Sequence, residues 1–123
     1  MIGDDTAQKE IEVNPRDVAD RYFAAIRSRD IESLMALYAD DATFVLPNGK
    51  ESRGVAAIRA MHEGVFNASS PKPLPQAVVL GEAAVAVEIE AQMPDGSSRR
   101  TANFYHLNSH GLIQRLSVYM RSG

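Results

Sequence analysis

Two glutamates, one asparagine and two histidines are the residues whose types and spacing first suggest chemistry. Glu88 and Glu90 alternate with Val85, Val87, Ile89 and Ala91, a period-two pattern that sets carboxylates on one sheet face and aliphatic groups on the other. Paired carboxylates can serve as general acid and base when an apolar surround raises their pKa. Asn103 lies in the next run, Ser98–Leu107. Asparagine is depleted in strands, so it calls for a backbone partner at a bulge or for a ligand. Strand parity puts it on one face with Thr101, Tyr105 and Leu107.

The relation between these groups hangs on a turn. Asp95-Gly96 is a two-residue hairpin signal. With those two as the turn, Glu90 opposes Thr101 and Glu88 opposes Asn103, while Val87, Ile89, Ala102 and Phe104 share the other face. A slip of one residue would reverse every side chain. Simple amphipathicity leaves the glutamates in solvent and the aliphatic face on the core. His106 and His110 span a strand end and a turn, so their spacing does not fall on one helical face and no metal site is expected. The 123 residues include no cysteine, which excludes disulfides, thiolate ligands and a Cys nucleophile. Any catalysis is expected to run without a cofactor, on carboxylate, phenol, amide and imidazole groups.

The elements that must position these groups follow from punctuation and periodicity. Residues 1–13 read as a flexible N-terminal arm. Asn14-Pro15-Arg16-Asp17 opens a helix over 15–28, with Val18, Tyr22, Phe23 and Ile26 on its buried face. By itself this makes Tyr22 a core tyrosine with a locally satisfied hydroxyl. Asp30 starts a shorter helix carrying Leu34, Leu37 and Tyr38 and ending near residues 39–41. A short strand, Ala42–Leu46, closes at Pro47-Asn48-Gly49, and Gly54 precedes a third helix with Val55, Ile58, Met61, Val65 and Phe66. Pro71, Pro73 and Pro75 hold the chain extended. Gln76–Leu80, Ala83–Met93, Ser98–Leu107 and Leu112–Met120 read as strands. Helices followed by a meander make one α+β domain over 14–121.

Composition narrows the partners. Thirteen basic against 16 acidic residues leave a net charge of −3, which gives no support for nucleic-acid binding. No apolar run approaches the ~20 residues of a membrane span. The acidic N-terminus lacks a secretory h-region, so a cytoplasmic location and no membrane association are expected.

The element order, with Arg29-Asp30-Ile31-Glu32, Tyr38-Ala39-Asp40-Asp41-Ala42-Thr43 and His110-Gly111-Leu112-Ile113-Gln114, resembles the NTF2-like superfamily, most closely its ketosteroid isomerase and SnoaL-like branch. The resemblance implies a cone-shaped α+β barrel, three N-terminal helices packed on a curved antiparallel or mixed sheet around a deep apolar pocket. It also implies homodimers that pair through the outer sheet face, for which Val87, Ile89 and Phe104 are the expected contact. In ketosteroid isomerases a tyrosine on the first helix and an acid on a late strand form the oxyanion hole; their places are taken here by Tyr22 and Asn103. An amide can donate to an oxyanion at any ordinary pH. Tyr38 and His62 stand where relatives hold tyrosines bonded to the first one. The proton-shuttling aspartate is replaced by Leu46, so the resemblance needs another base, and a cavity-facing Glu88 or Glu90 is the candidate. Arg99 and Arg100 lack the aspartate partners that epoxide-hydrolysing relatives use.

The expected pocket lining is Val18, Phe23, Ile26, Phe44, Leu46, Met61, Phe66, Thr101, Tyr105, Leu116, Val118 and Met120. Two functions follow as expectations. One is cofactor-independent acid–base isomerisation of a small apolar carbonyl compound through an enolate. The other is a non-catalytic ligand-binding or dimeric interaction domain.

Overall fold

The computed structural model describes residues 14–68 and 72–120. The expected N-terminal arm, residues 1–13, lies outside them. Helix α1 spans Pro15–Ser28. Asn14 caps it through its side-chain oxygen, which accepts from Arg16 N at 3.0 Å, and Pro15 fills a first-turn site that needs no N–H donor. The helix stops at Arg29, whose φ of 56° is left-handed. Asp30 then caps α2, Ile31–Met35, by accepting from Ser33 N at 3.1 Å.

This second helix is shorter than the periodicity suggests. Leu37 O accepts from Ile113 N at 2.8 Å, and Tyr38 already pairs with Ile113 at the head of β1, Tyr38–Val45. Sheet formation with a distant strand overrides the local helical pattern. β2 is a three-residue strand, Glu51–Arg53, and α3 spans Val55–Asn67. Gly54, at φ 87°, makes the corner between them and donates from its N–H to Ala42 O at 2.8 Å. β3 (Lys72–Leu80), β4 (Ala84–Gln92), β5 (Ser98–Leu107) and β6 (Ile113–Met120) complete one six-stranded sheet.

The strand order is β2-β1-β6-β5-β4-β3. β1 and β6 run parallel and every other pair is antiparallel. The sheet curls without closing, so β2 and β3 are its two edges. Helix α1 packs on β3 and β4, α3 packs on β1 and β2, and α2 touches both helices. Leu34, Ala42, Ile58, Tyr105, Ile113 and Leu116 are sealed between the layers. No helix among the described residues is long and apolar enough to cross a membrane.

The β4–β5 hairpin departs from the expected register by one residue. Its loop has three residues, Pro94-Asp95-Gly96, closed by Met93 N donating to Ser97 O at 2.8 Å and by Gly96 N donating to Met93 O at 3.0 Å. Gly96 takes a φ of 89°, the left-handed position of this loop class. In a two-residue turn Pro94 would flank the turn opposite Ser97, where it has no N–H to return. Asp95 further fixes the loop by accepting from Ser97 N at 2.9 Å.

The slip reverses the faces. Glu88 pairs with Ala102, Glu90 with Arg100, and Val87 with Asn103. Val85, Val87 and Ile89 therefore point to the helices and are buried. Glu88 is exposed on the outer face, and Glu90, also on that face, lies 3.6 Å from Arg100. Both glutamates are thus removed from the cavity. Val87 and Ile89 are likewise removed from the expected dimer contact, whereas Phe104 stays on the outer face, 41% exposed, in edge contact with Tyr119.

Candidate functional site

Between the helices and the curled sheet lies a cavity of about 310 Å³, at the small end for ligand sites. Its walls are Tyr22, Phe23 and Ile26 from α1, Phe44 at the end of β1 with Leu46 and Pro47 beyond it, and Met61, His62 and Val65 from α3. Pro73 of β3, Ile89 and Ala91 of β4, Thr101 and Asn103 of β5 and Val118 of β6 close the other side. No charged side chain among the described residues lines it, and the polar ones that do are Tyr22, His62, Thr101 and Asn103.

Tyr22 reaches the cavity because it shares the inward stripe of α1 with Val18, Phe23 and Ala25. Its ring is gripped edge-on by Phe23 at 5.4 Å, Tyr105 at 5.2 Å and His62 at 6.1 Å between centroids. Burial pushes its phenol pKa up, partly offset by a hydrogen bond from Tyr38. Tyr38 and Tyr105 are raised as well, by burial first and then by neighbouring phenols. All three remain neutral donors through the physiological range.

The Tyr38 hydroxyl lies 3.0 Å from His62 Nε2. Burial lowers the His62 pKa from 6.5 to about 4, so the ring is neutral at pH 7. Phe44 and Phe66 pack on it with centroids 5.4 and 6.4 Å away. Across the cavity, the Asn103 amide donates from Nδ2 to the Tyr105 hydroxyl at 3.0 Å. One amide proton is thereby committed, and the second N–H and the carbonyl remain to meet a ligand.

The structure thus brings Tyr22, Asn103 and His62 around one cavity, with Tyr38 meeting His62 at Nε2. Of the expected lining, Phe23, Ile26, Phe44, Leu46, Met61, Thr101 and Val118 border the cavity. Val18, Tyr105 and Leu116 are core residues behind the wall, Phe66 backs His62, and Met120 is 45% exposed at the sheet margin. Ile89 and Ala91 were missed through the register slip. Pro47, Val65 and Pro73 were missed because the curl of the sheet, which sequence period does not report, brings them in. Among the described residues no group of His, Asp and Glu is gathered closely enough to hold a metal. A second groove, about 440 Å³ between α1 and α2, is lined largely by small and polar side chains, and its Asp30 is engaged in capping.

Comparison with known structures agrees on architecture. A protein of Kribbella flavida named as a candidate ketosteroid isomerase superposes with a TM-score of 0.80 at 19% identity, over 89% of this chain and 78% of that one. A candidate polyketide cyclase of Sinorhizobium meliloti gives 0.76 at 23% identity, over 83% and 93%. An NTF2-like protein of Cytophaga hutchinsonii gives 0.76 at 18%, over 89% and 91%. At these identities the likeness speaks for the fold alone. The family model for the SnoaL-like domain matches residues 19–116, nearly the whole described fold. The chain belongs to the SnoaL-like domain family, within the NTF2-like fold.

Proposed function

We propose that the cavity binds a small, uncharged, largely apolar molecule whose carbonyl oxygen is held by the Tyr22 hydroxyl and the Asn103 amide. One observation carries this reading: an apolar cavity with no charged residue among its described lining holds two neutral donors, Tyr22 packed edge-on against Tyr105 and His62, and Asn103 bonded to the Tyr105 hydroxyl. Anchored donors in a dry site polarise a carbonyl without reorganising. The names of two structural neighbours, a candidate ketosteroid isomerase and a candidate polyketide cyclase, are consistent with such ligands. Enolisation also needs a proton acceptor, which neither Leu46 nor the outward glutamates supply. Their placement favours ligand binding as the minimum function.

Titration calorimetry with 2-tetralone, 2-naphthol and 2-naphthoate tests this reading. The ketone and the phenol are expected to bind one per chain, and the carboxylate to fail because no cation offsets its desolvation. Ala91→Trp should abolish binding by filling the cavity. Equal binding of the naphthoate, or ketone binding undisturbed by Ala91→Trp, would overturn it.

We also infer that two copies pair through the outer sheet face, where Leu74, Val79, Phe104 and Tyr119 are exposed. Phe104 and Tyr119 are in edge contact within this patch, and a two-fold axis would set it against its own copy.

A further inference from the structure

His62 stands in the cavity wall with Tyr22 and Asn103. Its Nε2 is engaged by the Tyr38 hydroxyl at 3.0 Å. Its Nδ1 has no hydrogen-bond partner among the described residues, yet no buried side-chain nitrogen or oxygen there lacks one. Nδ1 is therefore open, and the space that His62 borders is the cavity. The Tyr38 hydroxyl can meet Nε2 as acceptor or donor. When the imidazole proton sits on Nε2, Tyr38 accepts it and Nδ1 is a bare lone pair. In the other tautomer Tyr38 donates to Nε2 and the imidazole proton sits on Nδ1. The first tautomer sets a proton acceptor at the cavity beside the Tyr22 phenol.

We propose that His62 is the proton-accepting catalytic residue of this cavity, taking through Nδ1 a proton from the carbon next to a ketone whose oxygen Tyr22 holds. This rests on the cavity binding such a ketone. The C–H electron pair becomes the enolate C=C bond, and the carbonyl π pair moves to oxygen, where Tyr22 and Asn103 donate to it. The imidazolium then returns the proton to carbon, so atoms and charge balance without an oxidant or cofactor. The groups on the ring are Tyr22 from α1, Tyr38 and Phe44 from β1, and Phe66 from α3. None is charged near neutrality, so imidazolium is disfavoured until an enolate forms beside it and offsets the desolvation.

The test is hydrogen–deuterium exchange at C1 of 2-tetralone in D2O, read by NMR, with binding of the same ketone measured in parallel. Wild-type protein is expected to bind it and to speed exchange by about 100-fold or more over buffer. His62→Gln, of similar reach but unable to take a proton, should still bind while exchange falls to the buffer rate. His62→Ala should regain exchange when free imidazole is added, which a merely structural role would not give and which serves equally if His62→Gln does not fold. Wild-type binding without faster exchange, full exchange in His62→Gln, or no imidazole rescue overturns the His62 assignment and leaves the binding reading standing. Absence of wild-type binding overturns both.

Discussion

Acid should destabilise this protein through His62, and the effect can be sized. In the unfolded chain the imidazole takes a proton near pH 6.5, whereas in the fold it does so only at about 4. Between these values the unfolded state binds more protons, so stability is complete above pH 6.5 and is lost as pH falls toward 4. A difference of about 2.5 pH units at about 1.36 kcal/mol each amounts to about 3 kcal/mol. Against the 5–15 kcal/mol typical of a domain this is a large share. His62→Gln keeps a hydrogen-bonding group near Tyr38 but cannot titrate. Exposed carboxylates with lowered pKa, such as Asp30 and Asp95, contribute equally to both proteins. Urea unfolding of wild type and variant from pH 4 to 7.5 isolates the histidine. The stability difference between them should change by about 3 kcal/mol across that window, in the direction of wild type losing more in acid. Parallel curves would refute the reasoning, because a ring packed among Tyr22, Tyr38, Phe44 and Phe66 could not then be as desolvated as the geometry requires.

Further outcomes follow from where the carboxylates and the patch lie. Glu88→Gln and Glu90→Gln should leave ketone binding and exchange at wild-type levels, checked by the same NMR measurements; a loss in either would mean that the β4–β5 register is wrong. Tyr22→Phe and Asn103→Ala should slow exchange far more than they weaken binding, since their donation strengthens as charge develops on the oxygen. Phe104→Glu with Tyr119→Glu should convert a dimer to a monomer in light scattering at micromolar concentration, and a wild-type monomer there would refute pairing through this face.

Where the residue at hand determined its own surroundings, the sequence was a sufficient guide. Asn14-Pro15 and Asp30 start their helices through side-chain and backbone groups within three residues, and α1 presents Tyr22 inward because its apolar stripe is built into a 3.6-residue period. Parity along β5 is equally local, so Thr101, Asn103 and Tyr105 share a face whatever their partners. Family resemblance then brought Tyr22, Asn103, Tyr38 and His62 into one account, although their hydrogen bonds span up to 24 residues of chain.

What sequence left open depends on backbone pairing. The pattern of β4 is symmetric under a shift of one residue, since carboxylates and aliphatic groups merely exchange faces. Pro94 breaks that symmetry, because it lacks the N–H that a two-residue turn would ask of it, and the resulting three-residue loop sends Glu88 and Glu90 outward. The length of α2 was decided in the same way, by Ile113 donating to Leu37 O across the sheet. Amphipathic period sorted each element's residues into two faces; the sheet register and curl decided that the β4 acids lie outside and that, among the described residues, an imidazole backed by Tyr38 stands in the cavity wall.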